Sequence, residues 1–389
     1  MALRDPVIVG VADTALVDGK VEGGASVLQI QARAAKAALD EAGLSISDVD
    51  GLAVTGAWGM PRPGHTPALQ MAEYLGIRPR FSDTTNAGGS SFEMHLAHGA
   101  LAIQAGYANV VLILYGSTQR SERARSLGGR PTLFSLQYEV PWGLPTPLGS
   151  YAMAAHRHMH EYGTTSEQLA EIAVAARDWA RLNPAAMMQE PLTVDEVLAS
   201  PVIADPLHRL DCCLVTDGGG AIVMTSAERA RDLRSKPVRV LGYGESLSHV
   251  TIAAMQDLGF LHMAAEAGER AFAMAGLAPA DIDVAEIYDS FTITVLMTLE
   301  ALGFCGRGEG GAFVSGGNIA PGGGFPMNTN GGGLSYAHPG MYGIFLIIEA
   351  VRQLRGEAAA RQVADARIAL AHGTGGTLSS AATCILARE

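Results

Sequence analysis

The feature that most restricts how this chain can fold is one short pattern that occurs in both halves of the sequence. In each copy a helical pattern is followed by Ala-Gly-Leu, by three further residues, by Asp-aliphatic-Asp, and then by an apolar run. A pattern repeated in this way indicates two structural units of the same design, which pack together to bury their apolar faces. The two copies are Ala42–Asp50 and Ala275–Asp283.

Apolar, β-rich runs alternate with helical patterns on both sides of the repeat. Val110–Leu114 follows the helical pattern Ser90–Gly106, and Ile368–Ala371 follows the helical pattern Met341–Leu354. Strands that alternate with helices of this length predict a mostly parallel sheet with helices on both faces. We therefore predict an α/β fold built from two stacked halves.

The predicted halves comprise residues 1–232 and 233–389, with a hinge in the polar stretch Glu228–Pro237. A long excursion interrupts the strand–helix rhythm of the first half between about residues 115 and 206. It is rich in proline at its start and contains two helical patterns later. Long insertions on a rigid scaffold commonly bind ligands or act as lids, and we expect the same of this excursion.

The composition excludes several classes of partner and location. The formal net charge is −12 and no basic stripe occurs, so a nucleic-acid partner is not expected. No apolar run approaches the roughly 20 residues that span a membrane, and the first residues lack the pattern of a secretory signal. The cysteines have no metal-ligand spacing, which favours reduced thiols and a cytoplasmic enzyme. They are Cys212, Cys213, Cys305 and Cys384.

Three histidines at alternate positions of one helical pattern raise the question of a metal site. On a helix only the first and the third of them share a face, and no carboxylate or cysteine completes a ligand set. We therefore expect a solvated helix face and no metal at this place. The histidines are His156, His158 and His160.

Four motifs follow one another along the chain, and their order makes them far more specific together than singly. They are His160–Thr164 with the helical pattern after it, Pro206–Gly218 with its Cys-Cys and Asp-Gly pairs, Glu286–Phe291, and Ala337–Gly340. Together they resemble the thiolase superfamily, specifically its sterol-carrier-protein, or lipid-transfer, branch. The resemblance covers nearly the whole chain. It implies a thiolase fold with duplicated mixed-sheet halves in five α/β/α/β/α layers, a homodimer, and a CoA thioester as substrate with no bound cofactor.

The chain departs from that family where the thiolase nucleophile is expected. The resemblance places a cysteine at the start of the helix after the third strand, where this sequence has Gly89 or Ser90. The glycine-rich loop His372–Gly376 also lacks the second cysteine of thiolases. A serine hydroxyl needs an adjacent base before it can replace a thiolate, so backbone N–H groups that bind the thioester oxygen are favoured over a serine nucleophile. The predicted oxyanion and substrate-binding residues are Gly89, Ser90, Ser91, Gly375 and Gly376.

Two tyrosines and a histidine remain near the predicted site. Tyr288 stands where the branch has histidine, and Tyr336 and His338 lie in a glycine-rich loop. This constellation resembles the lipid-transfer-protein aldolases of bacterial steroid side-chain degradation, in which two tyrosines carry a retro-aldol reaction. The resemblance implies that Tyr288 is the base and Tyr336 the proton donor, or the reverse. It also implies a small partner protein with an OB-fold and a zinc ribbon.

The leading hypothesis from the sequence is an acyl-CoA carbon–carbon lyase. Such a retro-aldolase cleaves a bulky β-hydroxyacyl-CoA into a ketone or aldehyde and a short acyl-CoA, without a cysteine acyl-enzyme. One alternative is a thiolase-like acyltransferase whose nucleophile comes from elsewhere. The other is a non-catalytic, acyl-CoA-binding subunit of a complex, in which Tyr288 is simply a buried structural tyrosine.

Overall fold

The computed structural model of the chain describes residues 3–56, 66–122, 133–144 and 147–389, so part of the predicted excursion lies outside the described residues. The strands are β1 (Pro6–Asp13), β2 (Gly51–Val54), β3 (Phe81–Asp83), β4 (Val110–Ser117), β5 (Val202–Ala204), β6 (Leu207–His208), β7 (Gly218–Ser226), β8 (Val238–Leu247), β9 (Val284–Ile287), β10 (Ile368–Gly375) and β11 (Ser380–Arg388). The helices are α1 (Val27–Ala42), α2 (Pro67–Leu75), α3 (Ser91–Gln104), α4 (Leu133–Tyr138), α5 (Leu148–Tyr162), α6 (Ser166–Arg181), α7 (Val194–Ala199), α8 (Ala227–Ala230), α9 (His262–Ala275), α10 (Thr292–Ala301), α11 (Gly310–Val314) and α12 (Gly343–Arg355).

The strands form two copies of one arrangement. The first half has the order β3-β2-β4-β7-β1 and the second has the order β9-β10-β11-β8, and the two copies meet where β1 pairs with β8. Beside β9, Met327 forms a parallel bridge to Ala285, which corresponds to the parallel pairing of β3 with β2. The internal repeat of the sequence is thus also a repeat of the structure.

Each copy is a mixed sheet, which confirms the mixed-sheet halves implied by the resemblance, whereas the mostly parallel sheet expected from the strand–helix alternation alone is not found. The pairs β2–β3, β2–β4 and β9–β10 are parallel, whereas β4–β7, β7–β1, β10–β11 and β11–β8 are antiparallel. A tight turn joins β10 to β11, and a turn of this length can connect only antiparallel neighbours. The helical periodicity predicted the crossover helices, but it carries no information about strands that no helix connects.

The repeated pattern has the same physical role in both halves. Gly43 and Gly276 end α1 and α9 in left-handed backbone, with φ of 75° and 67°, a conformation that favours glycine. Asp50 then accepts hydrogen bonds from the backbone N–H groups at the start of β4, and Asp283 does the same at the start of β10. The pattern therefore ends a helix and fixes the next parallel pair of strands.

The two sheets and their helices build five layers. α1 packs on β1, β4 and β7 at one outer face, and α9 packs on β8 and β11 at the other. Between the sheets lie α3 and α12, which contact strands of both halves. Nearly every residue of α12 is buried, as expected of a helix enclosed on all sides. The five-layer architecture predicted from the resemblance is confirmed.

The described part of the excursion packs over the second half. α6 begins with a capping box of Thr165 and Gln168, and it contacts α10, α11 and the turn Gly332–Tyr336. After α6, the backbone N–H groups of Met187 and Met188 donate to the carbonyls of Tyr336 and Ser335. The excursion thus helps to hold the glycine-rich loop in which two of the predicted site residues lie.

Candidate active site

The ring of Tyr288 packs against Gly89, one of the two positions at which the resemblance places a cysteine. Tyr288 follows β9 directly, and its backbone N–H donates to the carbonyl of His372 on the neighbouring strand. A Cβ atom built on Gly89 would lie 2.1 Å from Cε2 of Tyr288 and 2.5 Å from the carbonyl oxygen of Thr374. Glycine is therefore required at position 89 as long as the tyrosine ring stays where it is.

Tyr288 forms a hydrogen bond with His338 inside the protein. The hydroxyl oxygen lies 2.9 Å from Nε2 of His338, and it also accepts the backbone N–H of Tyr342 at 3.1 Å. The rings of His338 and Tyr342 are stacked at an interplanar angle of 17°. Tyr288 is 4% exposed and His338 is 2% exposed, so bulk water does not compete for this bond.

Burial fixes the protonation states of this pair. It lowers the pKa of His338 to about 4, so the imidazole is neutral at pH 7, and it raises the pKa of Tyr288 well above its ordinary value. Because the Tyr288 oxygen accepts from Tyr342, its own proton can be donated to Nε2 of His338. The remaining ring proton then lies on Nδ1, which has no hydrogen-bond partner among the described residues. A neutral phenol and a neutral imidazole in this arrangement can accept and return one proton.

The hydroxyl of Tyr336 is hydrogen-bonded to a carboxylate and to neither member of this pair. Its hydroxyl donates to Asp13 on β1, whose carboxylate also accepts two hydrogen bonds from Arg352 on α12. Burial, and then the negative charge of Asp13, raise the pKa of Tyr336 well above its ordinary value. The sequence predicted a shared site for Tyr288 and Tyr336, and in the structure their hydroxyls have different hydrogen-bond partners. A buried phenol takes the strongest acceptor within reach, and for Tyr336 that acceptor is a carboxylate.

The two backbone turns that were predicted to bind the thioester oxygen, at residues 89–91 and 375–376, lie next to each other. A Cβ atom on Gly88 would lie 2.6 Å from the backbone nitrogen of Gly376, and one on Gly375 would lie 2.8 Å from that of Gly89. The turn before α3 therefore packs directly on the turn after β10. This contact gathers backbone N–H groups beside the ring of Tyr288, which is the setting that oxyanion binding requires.

The serine side chains beside Gly89 are engaged in structural hydrogen bonds. The hydroxyl of Ser90 lies 2.8 Å from that of Ser380, which in turn donates to the carbonyl of Ala87. Ser91 donates to the carbonyl of Gly88 and accepts from the backbone N–H of Ala87. Neither serine is paired with a base, and this arrangement gives no support to a serine nucleophile.

None of the four cysteines, all of which lie in the described ranges, is suited to form an acyl-enzyme. Burial raises the pKa of Cys212 and of Cys305 to about 12, and it raises the pKa of Cys213 and of Cys384 well above the ordinary value. A thiol that stays protonated is a poor nucleophile. The structure thus supplies neither an activated thiolate nor an activated hydroxyl.

Sequence reasoning missed Asp289, although it is the chain neighbour of Tyr288. Its carboxylate accepts the backbone N–H groups of Gly333 at 2.7 Å and of Leu334 at 3.1 Å. These residues open the π-helical turn Gly332–Tyr336, which leads to His338. Two features of the sequence could have pointed to Asp289. It is a carboxylate directly next to a candidate catalytic residue, and a run of glycines lies elsewhere in the chain.

The remaining candidate features do not form a site. His156 and His160, which share a helix face, are both exposed, and His156 is paired with Asp205. His158 lies on another face of the helix, buried against Glu300 and Thr164. No group of three or more potential metal-binding side chains occurs within the described ranges. In that same part of the chain, no helix is both long and apolar enough to cross a membrane.

Comparison with known proteins places the fold in one family. The N-terminal domain of thiolases matches residues 6–228, and a thiolase C-terminal domain-like family matches residues 244–388. The chain belongs to the thiolase superfamily. Within this thiolase fold, the ring of Tyr288 packs against Gly89, one of the two positions at which the resemblance places the nucleophilic cysteine.

Relatives of this thiolase-superfamily chain span nearly its whole length. An acetyl-CoA acetyltransferase of Methanothermobacter thermautotrophicus is 34% identical over 389 residues, which cover 99% of this chain and 100% of the relative. A 17-hydroxy-3-oxo-4-pregnene-20-carboxyl-CoA lyase of Mycobacterium tuberculosis is 38% identical over 367 residues, which cover 90% and 91%. Among solved structures, an Ltp2-ChsH2(DUF35) aldolase has a TM-score of 0.88 at 34% identity, covering 100% of this chain and 99% of that one.

Proposed function

We propose that this protein is an acyl-CoA carbon–carbon lyase, a retro-aldolase that cleaves a bulky β-hydroxyacyl-CoA into a ketone or aldehyde and a short acyl-CoA. The observation that carries the proposal is the buried ring of Tyr288, which lies against Gly89 and is hydrogen-bonded to neutral His338. A phenol–imidazole pair supplies an acid and a base. An acyl-enzyme, by contrast, would need a nucleophile in the volume that this ring fills.

In the proposed reaction one proton makes a round trip. The substrate hydroxyl gives its proton to the Tyr288 oxygen while the Tyr288 proton passes to Nε2 of His338. The electron pair of the O–H bond forms the new carbonyl, and the pair of the breaking carbon–carbon bond becomes the enolate of the acyl-CoA. The proton then returns from His338 through Tyr288 to the enolate carbon, so that no net proton, electron or water is consumed.

Two further features support this chemistry. The backbone N–H groups of the turns at Gly89 and Gly376 are proposed to hold the thioester oxygen, where negative charge develops as the enolate forms. The low exposure of Tyr288 and His338 keeps water away from that enolate. In this scheme His338 is the proton-transfer partner of Tyr288. The resemblance had implied that Tyr336 is that partner.

The names of two relatives agree with this class of reaction. One is a lyase of a pregnene carboxyl-CoA thioester, and the solved structure is an aldolase. They favour a polycyclic, steroid-like acyl group as the bulky part of the substrate. The acetyltransferase relative favours the alternative of acyl transfer, but the raised pKa values of the four thiols and the glycine at position 89 weigh against it.

The assembly is part of the proposal. The solved aldolase bears the names of two components, and we propose that this chain also works with a small OB-fold, zinc-ribbon partner protein. We further propose that the protein is a homodimer and that it works in the reducing cytoplasm. The four free thiols support a reducing compartment. A CoA thioester is the proposed substrate, and no bound cofactor takes part in the reaction.

The experiment that tests the proposed function offers two pools of substrate to the protein, with and without the partner from the same genome. One pool contains branched and polycyclic β-hydroxyacyl-CoA thioesters, and the other contains β-ketoacyl-CoA thioesters with free CoA. Mass spectrometry then identifies the products. A ketone and a short acyl-CoA from the first pool alone support the lyase. A chain-shortened acyl-CoA from the second pool supports acyl transfer and overturns the proposal.

A further inference from the structure

Asp289 connects the segments that carry Tyr288 and His338, the proposed catalytic pair, because its side chain accepts two hydrogen bonds from backbone N–H groups. It follows Tyr288 in the chain, and its carboxylate oxygens accept the N–H groups of Gly333 and Leu334. The turn that contains these donors leads within a few residues to His338. The carboxylate thus belongs to the chain neighbour of Tyr288, and the N–H groups that it accepts belong to the turn that leads to His338.

The turn is shaped to admit this carboxylate. Gly332 has φ of 64°, and a Cβ atom on it would lie 2.1 Å from Oδ2 of Asp289. A Cβ atom on Gly333 would lie 2.9 Å from Oδ1 of Asp289 and 3.1 Å from Cδ2 of His338. Glycine at both positions lets the carboxylate approach the turn, and the second position is shared between Asp289 and the imidazole.

We propose that Asp289 is a positioning residue that holds His338 within hydrogen-bonding distance of Tyr288. The ionised carboxylate has two acceptor oxygens, one for each N–H group of the turn. A protonated carboxyl or an amide has lost one of these two acceptors. With one donor released, the turn shifts and the 2.9 Å contact between Tyr288 and His338 lengthens. This inference rests on the proposed function for its kinetic consequences, but not for its structural ones.

The pH dependence follows from the surroundings of Asp289. Burial raises the pKa of this carboxyl to about 7. The titratable groups that face it from other segments are Cys213, Tyr342 and His338, and all three are uncharged near neutral pH. Turnover therefore rises with pH through about 7, as the carboxylate forms and accepts both N–H groups.

The test compares two variants that disturb the contact from opposite sides. Asp289→Asn keeps the shape but replaces one acceptor by a donor, and Gly332→Ala pushes the unchanged carboxylate away. The matched controls are Asp281→Asn, which is an exposed carboxylate at a turn, and Gly322→Ala, which has φ of 82° and open space at its Cβ position. Both controls keep the Tyr288–His338 contact intact.

We expect kcat to fall about 100-fold in Asp289→Asn and Gly332→Ala, with KM for the acyl-CoA within about threefold, because a displaced proton acceptor slows chemistry more than binding. We also expect Asp289→Asn to lose the rise in turnover around pH 7. The ¹⁵N resonances of His338, read on selectively labelled protein without substrate, shift in both variants and not in the controls.

Unchanged His338 resonances and an unchanged kcat in a folded variant would overturn the inference. A loss of kcat that only follows the loss of folded protein would overturn it as well. If Asp289→Asn does not fold, Gly332→Ala decides the question by the same two readouts. If the wild-type protein cleaves neither substrate pool, the proposed function fails, and the His338 resonances still test the role of Asp289.

Discussion

Tyr288 and Gly89 belong to different halves of the chain, and the tyrosine ring lies so close to the glycine that a Cβ atom there would be 2.1 Å from Cε2. The distance is far below van der Waals contact, so the residue type at one position restricts the residue type at the other. A side chain at position 89 and a tyrosine at position 288 cannot occupy their present places at once. The exchange of a nucleophile for a phenol is therefore a change at two positions and not at one.

Replacing Gly89 by cysteine tests this dependence. We expect Gly89→Cys to displace the Tyr288 ring, to destabilise the protein by about 1–3 kcal/mol, and to remove lyase activity without creating thiolase activity. Urea unfolding and both product assays measure these effects. The double variant Gly89→Cys with Tyr288→Ala should recover part of the lost stability, because the ring that clashes is absent. A stable single variant with full lyase activity would contradict the packing relationship.

The two tyrosines are expected to behave differently when each loses only its hydroxyl. Tyr288→Phe should lower kcat by about 10²–10⁴-fold with little change in the unfolding temperature, since it removes the proposed acid and base. Tyr243→Phe is the control, because Tyr243 lies on β8 and its hydroxyl donates to Gln104, outside the proposed site. Calorimetry with a CoA thioester checks that the binding of the ligand survives.

Tyr336→Phe should instead lower stability and spare the chemistry. Its hydroxyl donates to the carboxylate of Asp13, and the loss of a hydrogen bond to a charged group costs about 1.5–3 kcal/mol. We expect kcat within about threefold of the wild type at a temperature at which the variant is folded. A loss of kcat as large as that of Tyr288→Phe would restore the proton-donor role that the sequence resemblance implied for Tyr336.

The buried imidazole of His338 makes stability depend on pH on the acid side. Its pKa is about 4 in the folded protein and ordinarily about 6.5, so below pH 6.5 the unfolded chain binds a proton that the folded protein does not. Stability therefore falls as pH decreases from about 6.5 to 4, by up to about 3 kcal/mol from this residue. His338→Gln should lessen that fall in urea unfolding between pH 7 and pH 5. His156→Gln, at an exposed position, should not.

Glu93 gives the opposite dependence. It is fully buried on α3, neither carboxyl oxygen has a hydrogen-bond partner among the described residues, and burial raises its pKa to about 8. Between its ordinary pKa near 4.5 and pH 8, the folded protein holds a proton that the unfolded chain has lost, so stability decreases as pH rises through this range. Glu93→Gln should be more stable than the wild type at pH 8, by on the order of 2–4 kcal/mol.

The matched control for this experiment is Glu228→Gln, at an exposed position on α8. Urea unfolding at pH 6 and pH 8 separates the two expectations. If the stability of Glu93→Gln relative to the wild type is the same at both pH values, the carboxyl is not the group that titrates. The glycines at 343 and 373 fit this account, because a Cβ atom at either would lie within 2.6 Å of Oε2 of Glu93.

Local physical chemistry let the sequence determine the duplicated fold. The glycine that ends the helix and the first aspartate of the pattern, which accepts the backbone N–H three residues before it, act on their immediate neighbours, so the pattern at 42–50 and 275–283 could be read without the structure. The alternation of apolar runs and helices likewise predicted the crossover helices. The four motifs then pointed to the family, and the absence of cysteine at positions 89 and 90 and in the loop His372–Gly376 pointed to the change in chemistry.

Only the tertiary structure decided which of the candidate residues share a hydrogen bond. Tyr288, Tyr336 and His338 are equally plausible in the sequence, but the choice depends on which acceptor each hydroxyl meets. Tyr336 meets Asp13, which lies at the far end of the chain from it, and Tyr288 meets His338. The same holds for Glu93 and Asp289, whose pKa values arise from burial between segments remote in sequence. Proximity of this kind, and the desolvation that comes with it, exists only once the two halves have packed against each other.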